Sequence, residues 1–180
     1  RLSAPSATNW FGTDGVGVDV YSRVVHGART TLATIVIVLG IAILVGVSIG
    51  SVSGYLGGWI DGLLMRVADV FLAFPPLILA LATNAVLGRG LQQTMFAVAF
   101  LWWPAYARLV RSQVLAVRKL EFVESARAIG ATELRIVGRH VLPNVIDPVI
   151  VRASLDAGFV ALTAASLSFL GLGAQPPTPE

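Results

Sequence analysis

The residues able to do acid–base or metal chemistry are few in this chain, which has two histidines and no cysteine. His26 and His140 lie far apart in sequence, so they predict no metal site. An intramembrane enzyme would have to use Asp69, Asp156 or His140, and no known catalytic motif surrounds them. No glycine-rich loop ending in Lys-Ser or Lys-Thr occurs, which excludes P-loop binding of ATP. We therefore expect a non-enzymatic chain with no cofactor or metal of its own.

The composition predicts a protein surrounded by lipid. Hydrophobic residues make up 56% of the 180 residues and charged residues 13%, whereas a soluble domain carries about 25% charged residues. The net charge is +3. The basic residues lie between apolar runs, where they orient membrane segments. We expect membrane lipid as a partner and no nucleic acid.

Four apolar segments are long enough to cross a hydrocarbon core about 30 Å thick. They are predicted at residues 30–54, 70–88, 91–107 and 149–173. A short glycine-rich turn is predicted at 55–66. The fold class that follows is an all-α integral membrane protein, a multi-span transmembrane helical bundle.

The longest polar connection, residues 108–147, holds more than half of the basic residues. Basic residues mark the cytoplasmic side, so we predict a cytoplasmic loop within a membrane core at 29–173. Residues 1–28 and 174–180 then belong to extracytoplasmic segments. Arg23 and Arg29, near the outer end of the first span, run against this orientation.

Small residues recur in the first span. Gly46, Gly50 and Gly54 are spaced four apart, which lets a neighbouring helix approach closely. Tight helix packing is one interpretation of this pattern, and a direct part in a translocation path is the other.

Charged pairs near the ends of spans are a second group of candidates. Arg152 and Asp156 are spaced i, i+4 near the start of the fourth span, and charges in a span are costly and usually paired. They predict either an ion pair reaching toward the cytoplasmic interface or a gate or substrate contact. Asp69 is expected at the interface beside Arg66.

Uncharged polar and aromatic residues complete the candidates. Asn84 lies within the second span and is expected either to face the pathway or to bond a neighbouring helix. Tyr55 and Trp59 are expected in an interfacial aromatic belt.

The cytoplasmic loop contains a predicted helix at 120–129, which has no glycine or proline. Glu121 and Glu124 lie near its start, where the helix dipole favours negative charge. Gly130 is placed to end it. A second helix is predicted at 133–141, after which two prolines close the loop. Such an element can lie on the membrane surface or dock into a groove on a soluble partner.

The loop resembles the EAA loop of ABC importer permeases. The match consists of Glu-Ser-Ala at 124–126, three residues, Gly130, nine residues, and His-Val-Leu-Pro at 140–143. The family pattern has Ala at the second position and Ile in place of His140. The resemblance implies that an ATPase-coupling helix and its end are formed by Leu120, Phe122, Val123, Glu124, Ser125, Ala126, Arg127 and Gly130.

Further segments are similar to the dipeptide/oligopeptide/nickel branch of the same family. They are Phe-Gly-Thr-Asp at 11–14, Ala-Phe-Pro at 73–75, Tyr-Ala-Arg-Leu-Val-Arg at 106–111 and Ser-Leu-Ser-Phe-Leu-Gly-Leu-Gly at 166–173. One departure is Val18, which precedes Asp19 where the family usually has arginine.

The resemblance implies a transmembrane pore subunit of an ATP-driven importer for di- or oligopeptides, in a bacterial or archaeal cytoplasmic (inner) membrane. The implied partners are ABC ATPase subunits that bind ATP and Mg²⁺, a homologous permease subunit and an extracytoplasmic solute-binding protein. It also implies further helices before and after this chain. A secondary transporter or channel is the alternative, and it would have no need of a docking helix.

Overall fold

The computed structural model describes residues 2–88 and 90–172, and these ranges are mostly helical. The helices are α1 (Val20–Leu56), α2 (Gly58–Leu72), α3 (Pro76–Leu87), α4 (Leu91–Val117), α5 (Glu121–Ala128), α6 (Glu133–Ile136) and α7 (Leu142–Phe169), with a π-helical turn at Val137–Val141 between α6 and α7. The predicted segment 174–180 lies outside the described residues.

The 37 residues of α1 form the longest described helix, about 55 Å at 1.5 Å per residue. Asp19 caps its start, since its carboxylate accepts a hydrogen bond from the Ser22 N–H at 2.9 Å. Gly57, with φ of 69°, ends it. Among the described residues, α1 is the one helix that is by itself long and apolar enough to cross a membrane.

The chain between 55 and 88 differs from the prediction. The residues predicted as a glycine-rich turn mostly belong to α2, because Gly57 and Gly58 alone take the positive φ of a turn while Gly62 continues the helix. The predicted span 70–88 is divided between α2 and α3, which meet at an angle of 94°. Pro75 and Pro76 lack the N–H groups that a continuous helix would use there. Taken together, α2 and α3 are long and apolar enough to form one broken membrane span.

The bounds of α4 and α7 also differ from the predicted spans. The helix α4 continues past the predicted end of the third span at 107, with Pro104 inside it. Pro143 and Pro148 were expected to close the cytoplasmic loop, but both lie within α7. The π-helical turn ends at Val141, two residues before Pro143. Its wider hydrogen-bond spacing accommodates the absence of an N–H group at proline.

The core is organised around α4, which packs against α1, α2, α3 and α7. The loop helices join the same core: Val123 of α5 and Ile136 of α6 are completely buried in the cluster that includes Val110 and Val114 of α4. The predicted coupling loop is therefore packed onto the bundle and does not hang free below it.

The first described residues form a folded segment before α1. Asp14 accepts hydrogen bonds from the N–H groups of Val16 and Val18, each at 2.9 Å, and pairs with Arg23 at 2.9 Å. Among the interactions that lower the pKa of the Asp14 carboxyl group, the hydrogen bond from the Val18 N–H has the largest effect. Arg23, which ran against the predicted orientation, therefore has a local structural partner.

Candidate functional site

The predicted coupling helix is present as α5, eight residues long. Glu121 and Glu124 lie in its first turn and Arg127 in its last turn, so each charge complements the helix dipole. Gly130, with φ of 84°, follows the end of the helix and allows the chain to turn into α6.

The eight residues predicted for coupling divide between two faces. Val123 and Ala126 are buried in the core of the chain, so they fix the position of α5 and present no surface to a partner. The exposed members are Leu120, Phe122, Glu124, Ser125, Arg127 and Gly130. Beside them, Ile129 and Leu134 are each 86% exposed. The outer face thus combines charged groups with large apolar side chains that the described chain leaves uncovered.

Three polar side chains connect this loop to the end of α1. The hydroxyl group of Tyr55 donates a hydrogen bond to the carboxylate of Glu133 in α6. Arg127 of α5 donates to the Tyr55 hydroxyl oxygen at 3.2 Å and to the Glu133 carboxylate at 3.4 Å. Tyr55, which was expected in an aromatic belt, thus contacts both loop helices.

A second set of polar contacts holds α1, α2 and α4 together beside that connection. Arg111 binds the Asp61 carboxylate through two nitrogens, at 2.5 and 2.6 Å, and Ser53 donates to the same carboxylate. Arg118, at the end of α4, donates to the carbonyl oxygens of Gly54 and Tyr55 at 2.9 and 3.0 Å. These bonds satisfy carbonyl groups that the end of α1 leaves without intrahelical partners.

The three glycines of the first span lie against α4. A Cβ at Gly46 would be 2.5 Å from the Tyr106 Cβ, and one at Gly54 would be 2.9 Å from the Arg111 carbonyl oxygen. Gly50 makes an equally close approach between them. The spacing that the sequence revealed thus corresponds to direct contact between the backbones of α1 and α4.

Asn84 is buried, and its side chain is hydrogen-bonded to other residues of the helical bundle. Its amide group donates to the Ala80 carbonyl oxygen at 3.2 Å and accepts from the Thr94 hydroxyl group at 3.4 Å. Thr94 also donates to the Leu172 carbonyl oxygen at 2.8 Å. Of the two interpretations, the structure shows the bond to a neighbouring helix, which joins α3 to α4.

Arg152 and Asp156 form an ion pair at 2.8 Å along α7. The pair is not at a freely exposed helix surface, because the Asp156 carboxylate is buried while about half of the Arg152 side chain is exposed. Both residues line a cavity of about 400 Å³ with Trp102, Phe159 and Thr163. The cavity thus combines a charged pair with aromatic walls.

Sequence reasoning missed three partners. Asp69 pairs with Arg108 of α4, Asp61 pairs with Arg111, and Tyr55 bonds Glu133. Arg108 and Arg111 of α4 were a usable signal for the first two of these partners. Both arginines pair with aspartates of α2 once that helix packs on α4. Within the described ranges, no group of three or more His, Cys, Asp or Glu residues could hold a metal ion.

Comparison with known proteins gives a consistent result. Over the full chain, 46% of residues are identical to the dipeptide transport system permease protein DppC of Alkalihalophilus pseudofirmus, and the match spans 59% of that protein. The glutathione transport system permease protein GsiD of Escherichia coli is 47% identical over 99% of this chain and 59% of its own length. The GsiD protein of Pectobacterium atrosepticum is 43% identical over 98% of this chain. The chain thus spans about three-fifths of the length of these relatives.

The fold has a counterpart among solved structures. An inward-facing structure of the MetNI methionine ABC transporter superposes with a TM-score of 0.73, covering 85% of this chain and 76% of that chain at 21% identity. Residues 42–180 match the family described as binding-protein-dependent transport system inner membrane component. The resemblance drawn from the EAA-like loop is therefore confirmed, and this chain belongs to that family of transport permeases.

Proposed function

We propose that this chain is the central part of a multi-span, non-catalytic pore subunit of an ATP-driven importer in a bacterial or archaeal inner membrane. The observation that carries the proposal is the outer face of α5, which presents charged groups and uncovered apolar side chains on a helix otherwise fixed in the bundle. Family membership and the names of the relatives support the same role.

The proposed coupling surface is the exposed part of the predicted set, with Phe122, Glu124, Ser125 and Arg127 at its centre. A short amphipathic helix of this kind suits a groove on a soluble partner. The partner we propose is a separate ABC ATPase subunit, which binds ATP and Mg²⁺. Movement of that groove when the ATPase closes would displace α5 together with its buried residues Val123 and Ala126.

The cavity beside Arg152 and Asp156 is the proposed solute-facing region of this chain. A charge facing lipid is costly, so the half-exposed Arg152 is better placed toward water or toward a second, homologous permease subunit. An extracytoplasmic solute-binding protein would deliver the solute. Peptide-type solutes are favoured, because the relatives are named for dipeptide and glutathione transport.

The test is reconstitution of the full-length subunit with its partner permease, ATPase and binding protein in proteoliposomes. Uptake of labelled dipeptide and of labelled glutathione would be measured with ATP, without ATP, and with a proton or sodium gradient alone. ATP-dependent uptake of either solute supports the proposal. Uptake driven by an ion gradient in the absence of ATPase would replace it with a secondary transporter.

A further inference from the structure

The polar connection between Tyr55, Arg127 and Glu133 does more than stabilise the loop. We propose that these three residues form a latch that fixes the orientation of α5 against the end of α1, so that a displacement of α5 is passed directly to α1. This inference rests on the proposed function, since it assigns the route by which ATPase movement enters the membrane bundle.

The latch is a closed set of directional bonds. The Tyr55 hydroxyl group is both a donor and an acceptor, because it donates a hydrogen bond to Glu133 and accepts one from Arg127. The Arg127 guanidinium and the Glu133 carboxylate also bond each other at 3.4 Å. The contacts therefore join α1, α5 and α6 at one point, although Tyr55 and Glu133 are separated by 78 residues.

The side of the latch that belongs to α1 is held rigidly. Arg118 of α4 binds the carbonyl oxygens of Gly54 and Tyr55. Gly54 lies against the α4 backbone at the same level. A force applied at the Tyr55 hydroxyl group therefore acts on an end of α1 that is bonded to α4.

Stability alone does not account for the latch. About half of the Arg127 side chain and more than half of the Glu133 side chain are exposed, and exposed ion pairs contribute little to stability. The burial of Val123 and Ala126 already attaches α5 to the bundle, but apolar contact is not directional. The hydrogen bonds to Tyr55 are directional, so they can fix the orientation of α5 relative to α1. A lever with two arrangements requires such a fixed orientation.

The first experiment measures whether α5 and α1 move together in the assembled transporter. Spin labels would be placed on Leu56→Cys and Ala128→Cys, two exposed positions in a chain without native cysteines. Distances would be recorded without nucleotide and after trapping with ATP, Mg²⁺ and vanadate. The latch predicts one narrow distribution in both states. Tyr55→Phe, which removes only the hydroxyl group, should broaden the distribution and make it differ between the two states.

Tyr21→Phe is the matched control, because Tyr21 lies at the other end of α1 and its ring packs against Trp10 and Phe11. It should leave both distributions unchanged. An unchanged distribution in Tyr55→Phe would overturn the latch. If Tyr55→Phe does not assemble, Glu133→Leu, which has no acceptor for the Tyr55 hydroxyl group, serves for the same comparison, and a distribution as narrow as that of the wild type would again overturn the latch.

A functional readout separates coupling from folding. In Tyr55→Phe, uptake of labelled dipeptide or glutathione per ATP hydrolysed should fall by about threefold or more, as expected for one lost hydrogen bond, while ATPase binding persists. The Tyr55→Phe and Glu133→Leu effects should be less than additive in the double variant, because each removes the hydrogen bond between Tyr55 and Glu133. Additive effects would contradict a shared latch. A wild-type subunit that binds no ATPase would instead refute the proposed function.

Discussion

The backbones of Gly50 in α1 and Ala107 in α4 are in direct contact. A Cβ at position 50 would overlap the Ala107 carbonyl oxygen and would lie 2.9 Å from the Val110 Cβ. Neither obstacle is a flexible side-chain end, so the helices would have to separate to accept even a methyl group. This contact sets the distance between α1 and α4, the helix around which the core is organised.

Gly50→Ala should therefore destabilise the subunit by about 1–3 kcal/mol, the usual cost of overpacking a close interface. Gly40→Ala is the control, since the same helix leaves open space around Gly40. That substitution should be neutral or stabilising, because alanine favours a helix over glycine by about 1 kcal/mol. Thermal unfolding in detergent would measure both, and equal melting temperatures for the two variants would refute the close packing of α1 on α4.

The Asp61 carboxylate should matter more than that of Asp69. Asp61 receives two bonds from Arg111 and one from Ser53, and its side chain is mostly buried, so Asp61→Asn should cost about 1–3 kcal/mol. Asp69 pairs with Arg108 where both side chains are half exposed, so Asp69→Asn should cost about 0–1 kcal/mol. Melting temperatures in the reverse order would show that Asp61 does not hold α2 on α4.

The Arg152–Asp156 pair predicts a non-additive response. Arg152→Leu leaves a buried carboxylate without its partner and should destabilise the subunit by about 3–5 kcal/mol. The double variant Arg152→Leu/Asp156→Leu removes both charges and should be more stable than Arg152→Leu alone. Chemical denaturation of the three proteins would decide, and a double variant less stable than Arg152→Leu would contradict the burial of Asp156.

The segment before α1 should loosen in acid. The pKa of Asp14 is lowered in the folded state by the Val18 and Val16 N–H groups and by Arg23. Its stabilising effect is therefore complete above the ordinary value of 3.8 and is lost as the pH falls through the lower folded value.

The ¹⁹F resonance of 5-fluorotryptophan at Trp10, which packs against Tyr21, would report this change. The resonance should shift between neutral pH and a pH below 3.8. Asp14→Asn should remove that pH dependence, because its side chain has no charge to lose. A shift of the same size in Asp14→Asn would assign the transition to another group.

Local signals in the sequence were sufficient for α5. The glutamates of its first turn, its apolar spacing and Gly130 are all read within ten residues, and the structure has the helix and the positive φ in these positions. The small-residue spacing of α1 was equally local. That pattern did not indicate which helix would pack against the glycines of α1.

Structural features that depend on tertiary contacts could not be predicted from local sequence in the same way. Gly57, Gly58 and Gly62 look alike in sequence, yet only the first two make the turn, because packing on α4 keeps the rest of α2 helical. The bond between Tyr55 and Glu133 has no local signature at all. It requires knowing that α6 folds back beneath the end of α1.

The central claim is that the outer face of α5 contacts an ATPase. The most direct measurement is disulfide or bifunctional crosslinking from Ser125→Cys, an exposed position on α5, to the copurified ATPase with and without ATP. Ser166→Cys, an exposed serine near the far end of α7, is the matched control. Nucleotide-sensitive crosslinks from position 125 and none from position 166 are predicted. A stably bound ATPase that never crosslinks to position 125, or labelling of that position by lipid probes in its place, would contradict the account.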